Sequence, residues 1–224
     1  MRTLIGLGVS LFAALFLPAA SSDILAKMDG AAAKFSAMTA DVSRDSYTKV
    51  IDDHSIASGT FALKKSRTGE LQMKMDISKP DPTSYAFHGK KAEIYLPKIN
   101  TVREYDLGKF SDQVDQFLLL GFGASGHELQ AKYDVKVLGE ETVAGQKTDH
   151  LELTPKSEKM RQSYSRIDLW MADSGEYPVQ QKIVEASGNY TLVTYQNVKL
   201  NAPLNKDALN LQLPKNVKRE HPQS

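Results

Sequence analysis

Between residues 71 and 77 every second residue is apolar: Leu71, Met73, Met75 and Ile77 alternate with Gln72, Lys74 and Asp76. Successive side chains of a strand point to opposite faces, so this run predicts a strand with one dry face and one wet face. Antiparallel sheets tolerate that arrangement, whereas parallel sheets are covered on both sides. The chain is therefore constrained to a sheet that must find something to cover a single apolar face.

The remaining segments extend the pattern. Met38, Ala40 and Val42 alternate with polar partners, and Tyr47–Ile51 continues as strand-like sequence before the turn cluster Asp52–Ser55. Further strands are expected at 56–65, 85–88, 93–96, 101–105, 133–138, 142–153, 167–171, 179–185 and 190–200, with a last short segment at 209–213. Two helices are expected. One covers 23–36, where Leu25, Met28, Ala32 and Phe35 recur at helical spacing; the other covers 111–120, SDQVDQFLLL, and is ended by glycines. About eleven strands joined by short turns predict a mainly β (α+β) fold. It is a single curled antiparallel sheet, an incomplete barrel capped by helices. Almost no connection is long enough to hold a crossover helix.

The first residues differ in kind. Arg2, the uncharged apolar run Leu4–Leu17 and the small residues Pro18–Ser22 read as a secretory signal peptide over 1–22, cleaved near Ala20–Ser22. Residues 23–224 then form one domain. With 28 basic and 27 acidic residues the net charge is +1, which argues against nucleic-acid partners. The sequence has no cysteine, so neither a disulfide nor a lipidated N-terminal cysteine is available. These features predict a soluble periplasmic protein that relies on its own core.

Motifs for covalent chemistry are weak. GFGASG, Gly121–Gly126, fits G-x-G-x-x-G but lacks the long helix that a dinucleotide loop needs. It reads as a glycine hinge after a helix. Gly123–His127 misses the nucleophile elbow, because His127 stands where its second glycine belongs. The five histidines show no H-x-x-x-H or H-x-H spacing, so neither a metal nor another cofactor is expected. The acidic pairs Asp52-Asp53 and Glu140-Glu141 fall in predicted turns, where such pairs are usually solvated. No enzyme activity is expected.

The order of elements resembles the LolA/LolB-like family of periplasmic lipoprotein carriers. An N-terminal helix with Leu25, Met28 and Phe35 leads into the strand at Met38. Gly59-Thr60-Phe61-Ala62-Leu63-Lys64-Lys65 matches the family's glycine-led strand. A Leu-rich segment, Phe117–Leu120, interrupts the sheet. A hairpin from Leu138 to Gly145 leads to Leu151-Glu152-Leu153-Thr154-Pro155-Lys156, and Leu211–Val217 resembles the closing strand and proline. Each motif is weak alone; their order over nearly the whole chain carries the resemblance.

The resemblance implies a half-barrel with a helical lid, holding the acyl chains of lipoproteins or other lipids and passing them towards the outer membrane. It implies an inner-membrane releasing transporter and an outer-membrane acceptor as partners, with the carrier acting as a monomer. The alternative on the same scaffold is an RseB/MucB-like sensor of lipidic signals. With the alternation, it assigns the cavity lining to Phe61, Leu63, Leu71, Met73, Met75, Tyr85, Phe87, Ile94, Leu96, Leu169 and Met171. The lid falls to Phe117, Leu118, Leu119 and Leu120. Well-known carriers latch the lid with an arginine followed by proline; here Lys65-Ser66 holds that place, so Lys65 or the nearby Arg67 is the candidate latch.

Overall fold

A computed structural model describes residues 21–66, 68–108, 120–205 and 207–222. The predicted signal peptide thus lies outside the described residues, apart from its last two positions. So do Arg67 and most of the expected second helix, including Phe117, Leu118 and Leu119.

Twelve strands form one sheet. In chain order they are β1 (Ala37–Thr48), β2 (Asp53–Lys65), β3 (Leu71–Lys79), β4 (Thr83–His88), β5 (Lys91–Leu96), β6 (Thr101–Asp106), β7 (Tyr133–Val143), β8 (Gln146–Pro155), β9 (Tyr164–Ala172), β10 (Pro178–Glu185), β11 (Tyr190–Leu200) and β12 (Lys218–Glu220). Among the described residues three α-helices accompany them: α1 (Ser21–Ala32), α2 (Gly126–Lys132) and the one-turn α3 (Glu158–Arg161). The spatial order is β12-β6-β5-β4-β3-β2-β1-β11-β10-β9-β8-β7, so the first strand sits in mid-sheet beside the eleventh. Every pair is antiparallel except β12 with β6, which is parallel. A sheet this wide, twisting by about 20–25° per neighbour, cannot stay flat and curls. Its edges, β12 and β7, do not pair, so the barrel is incomplete as expected.

Two local expectations are corrected. The segment 209–213 is not a strand; the last strand is Lys218–Glu220, in the polar tail. Its three residues carry no apolar alternation, and ion pairs hold it. Arg103 contacts Glu220 at 3.3 Å, and Arg219 bonds Glu104. The expected strand 142–153 is broken by a turn at Ala144-Gly145, both at positive φ, making β7 and β8 a hairpin.

The register puts most of the apolar residues of the long strands on one face. The row Val137–Leu151–Leu169–Gln181–Val193–Arg44–Ala57 runs across β7, β8, β9, β10, β11, β1 and β2. The row Ala40–Phe61–Met75–Tyr85–Ile94–Arg103 runs the other way, from β1 to β6. Two clusters fill this concave face. On the β7–β10 side, Ile24 and Met28 of α1 and Leu129 of α2 cover Leu151, Leu153, Ile167, Leu169 and Met171. On the β1–β4 side, Met38, Ala40, Val42, Phe61, Leu63, Leu71 and Phe87 gather around Phe122 and Tyr195.

Candidate functional site

The eleven residues expected to line a cavity all stand on the concave face. On β2 to β5, Phe61 pairs with Met75, Met75 with Tyr85 and Tyr85 with Ile94; Leu63 pairs with Met73 and Met73 with Phe87. Leu71 opposes Lys65, and Leu96 lies two residues beyond Ile94 on β5. Leu169 and Met171 lie on β9, in the other half of the same face. Their surroundings differ. Leu169 and Met171 are fully buried beneath α1, whereas Met73, Met75, Tyr85, Ile94 and Leu96 remain partly exposed. The β3–β5 side of the concave face is thus partly solvent-accessible, and it carries Met73 and Met75, flexible side chains that fill irregular space.

Residues 120–126 span the two halves. Leu120 and Ala124 belong to the cluster under α1, and Phe122 to the cluster on β1–β4. The Phe122 ring lies 5.7 Å from Phe61 and 4.9 Å, edge-on, from Tyr195. Gln181, buried on β10, donates to the Leu120 carbonyl and accepts from the Tyr195 hydroxyl at 3.0 Å. Burial pushes the Tyr195 phenol up, keeping it a neutral donor.

The sequence reads the glycines here as a hinge, but the structure packs them. Gly121 and Gly123 have φ of +80° and +67°. A Cβ on Gly123 would meet the Phe35 ring at 2.5 Å, and one on Gly126 would meet the Leu25 carbonyl at 2.6 Å. These glycines let the loop wedge between α1 and the sheet. Glycine hinges and glycine close contacts look alike in a sequence, because both require only the absence of Cβ.

Ser125 and His127 serve α2. The Ser125 hydroxyl accepts from the Glu128 N–H at 3.1 Å while the Ser125 N–H donates to the Glu128 carboxylate at 2.8 Å, a reciprocal helix cap. His127 Nδ1 lies 2.8 Å from an Asp29 oxygen and so ties α2 to α1. The Ser-x-x-Glu spacing is the signal that could have found this helix start. The Tyr133 hydroxyl, at the end of α2, is buried with no partner, and burial pushes its phenol up to about 12.

Of the expected lid and latch, only Leu120 and Lys65 can be placed. Leu120 is buried, and Lys65 is half-buried on the concave face opposite Leu71. Arg44, Phe122, Gln181 and Tyr195 were missed. Arg44 had a signal: it follows Met38, Ala40 and Val42 at the same two-residue interval, in phase with the apolar face.

The convex face is polar. Around His150, Nδ1 lies 2.8 Å from Glu141 and Nε2 3.3 Å from Asp168, with the ring stacked on Trp170 at 4.4 Å. The Trp170 N–H donates to Glu141 at 2.8 Å and, with His150, holds that carboxyl below the usual range. The acidic pair at 140–141 therefore lies in β7 rather than in a turn. Among the described residues no group of three or more His, Cys, Asp or Glu could hold a metal ion.

Comparison with known proteins agrees with this geometry. In fold, the chain is similar to the crystal structure of MucB, with a TM-score of 0.54 and 15% identity over 85% of this chain and 62% of that one. It is also similar to MucB in the MucA/MucB complex of Pseudomonas aeruginosa, at TM-score 0.51, 15% identity, 85% of this chain and 60% of that one. An uncharacterized conserved protein from Thermus thermophilus matches at TM-score 0.56 and 12% identity, over 90% of this chain and 98% of that one. The chain spans about three fifths of the length of the MucB chains it matches. No curated protein matches it. The sequence profile described as "Outer membrane lipoprotein carrier protein LolA" matches residues 33–212. With that match over most of its length, the chain belongs to the LolA family.

Proposed function

We infer that this protein is a periplasmic carrier that shelters the acyl chains of lipoproteins, or of other lipids, and delivers them towards the outer membrane. The observation that carries the reading is the concave face. It is apolar from β2 to β9, covered on one side by α1 and α2, and left partly accessible on the other at Met73, Met75, Tyr85, Ile94 and Leu96. Each buried methylene contributes roughly 0.8 kcal/mol, so one long acyl chain is worth on the order of 10 kcal/mol. An apolar site gated by movable packing offsets most of that without covalent chemistry. Loading by an inner-membrane transporter and release to an outer-membrane acceptor, with the carrier acting as a monomer, complete the reading. The Leu-rich segment 117–120 is its lid, and Lys65 or Arg67 its latch.

The test is mass spectrometry of protein purified from its own periplasm. Bound lipoprotein or lipid, and accumulation of lipoproteins at the inner membrane on depletion, are expected. Protein free of cargo, with normal lipoprotein sorting after depletion, would overturn the reading. A second reading, a lipid-sensing regulator, draws on the MucB fold, which is known in complex with MucA. It predicts a changed envelope response on depletion with sorting intact.

A further inference from the structure

Along β1 the concave-face residues run Met38, Ala40, Val42, Arg44, Ser46. The facing positions of β2 run Leu63, Phe61, Gly59, Ala57, Ser55, and those of β11 run from Leu200 through Tyr195 and Val193 to Thr191. All three strands therefore pass from apolar to polar in the same direction, β1 at Arg44 and its neighbours one step later, at Ser55 and Thr191. Arg44 stands at the boundary, with Ala57 on one side and Val193 on the other.

Arg44 Nε is buried and has no hydrogen-bond partner. Among the described residues no carboxylate pairs with its guanidinium. A guanidinium stays charged and offers five N–H donors, and leaving one of them buried and unpaired is costly. The other arginine on this face marks the contrast: Arg103, opposite Ile94, has Glu220 at 3.3 Å.

The spacing suits an amphiphile. Met38 and Arg44 lie six positions apart along the strand, about 20 Å at the usual rise. One leaflet of a bilayer core is roughly 15 Å deep. The middle of this track is filled by the Phe122 ring, packed on Phe61 opposite Ala40 and on Tyr195 opposite Val42, so an acyl chain would take that place only by displacing it.

We propose that Arg44 anchors the head group of a bound amphiphile, pairing with an oxyanion, carboxylate or phosphate, whose acyl chain runs along β1 towards Met38. This rests on the reading of the concave face as an acyl-chain site. It adds that the site takes anionic amphiphiles in preference to neutral ones and holds them in a single direction.

The experiment is displacement of the neutral fluorophore 1-aminoanthracene from the delipidated mature protein by palmitate, hexadecyl phosphate, 1-hexadecanol and inorganic phosphate, with Arg44→Met and Arg44→Lys alongside. The wild type should bind palmitate and hexadecyl phosphate about ten-fold more tightly than hexadecanol. Arg44→Met should remove that preference by weakening only the anions, with thermal stability equal or higher. Arg44→Lys should keep part of it, and inorganic phosphate should displace nothing. Preference for one anionic head over the other names the source of the oxyanion. Equal wild-type affinity for palmitate and hexadecanol, or equal loss of both in Arg44→Met, would overturn the anchor while leaving the apolar site standing. Displacement by inorganic phosphate as effective as by hexadecyl phosphate would also overturn it. Failure of the wild type to bind the fluorophore or any long-chain compound would remove the acyl-chain site itself, and the anchor with it.

Discussion

The Tyr195 hydroxyl donates to the Gln181 carboxamide at 3.0 Å, and the same carboxamide donates to the Leu120 carbonyl. Through this relay two sheet strands hold the loop that plugs the concave face. A carboxamide suits the place because it offers a donor and an acceptor at once. Gln181→Leu should leave both the Leu120 carbonyl and the Tyr195 hydroxyl unpaired and destabilise the protein by about 1–3 kcal/mol in urea unfolding. Tyr195→Phe, which strands only one acceptor, should cost about 1 kcal/mol. A Gln181→Leu cost no greater than that of Tyr195→Phe would show that the loop is held by apolar packing alone.

The glycines separate by environment. At Gly123 a new Cβ would lie 2.5 Å from the Phe35 ring at a φ of +67°. At Gly145 the φ is +77° but no atom lies within 4 Å of the added group. Gly145→Ala should therefore cost only the left-handed strain, about 1–2 kcal/mol. Gly123→Ala should cost more and should raise hydrogen exchange through residues 120–126. Equal losses of stability at the two positions would show that the loop yields to Phe35.

Met73 stands between Leu63 and Phe87 on the partly exposed side of the concave face. Met73→Glu would place a charged carboxylate on that apolar surface, one diagonal step from Lys65, and a charge there disfavours an apolar ligand. Folded Met73→Glu protein should lose binding of an apolar fluorescent probe. Normal binding by that variant would show that ligands do not use the β3–β5 side.

Acid should release the last strand. At Glu104 burial raises the carboxyl pKa, but the bonds from Arg219 and Lys91 outweigh it and the net direction is down. Glu220 is lowered chiefly by Lys218 and Arg103. Both folded values lie below the unfolded ones, so the unfolded chain binds more protons through that interval. The contribution to stability is present above the unfolded carboxylate pKa of about 4.3 and is lost as the pH falls through the folded values. The protection factors of the amides at residues 218–220, taken against the intrinsic exchange rate at each pH, should fall between about pH 5 and pH 3 before the main sheet opens. Glu104→Gln should show the lower protection already at neutral pH. Protection of β12 that is independent of pH would mean that its backbone bonds suffice.

Strand positions and the dry face were legible in the sequence because side-chain alternation is a local property of an extended backbone. Leu71, Met73, Met75 and Ile77 announce their face whatever lies beside them. The curled shape followed from counting such strands. Only the tertiary structure decided the strand order, since the pairing of β1 with β11 joins residues more than 140 positions apart, such as Ser46 with Thr191. It also recruited Lys218–Glu220 as a strand, which ion pairs with Arg103 and Glu104 secure and no apolar pattern could reveal. The glycines of 121–126 were visible as missing side chains, but whether the space is left free or filled by Phe35 and Leu25 depends on what packs there. Arg44 shows the same division. Its phase placed it on the apolar face, but whether a carboxylate waits opposite is a matter of three-dimensional neighbours. There Arg103 has Glu220, while Arg44 has none among the described residues.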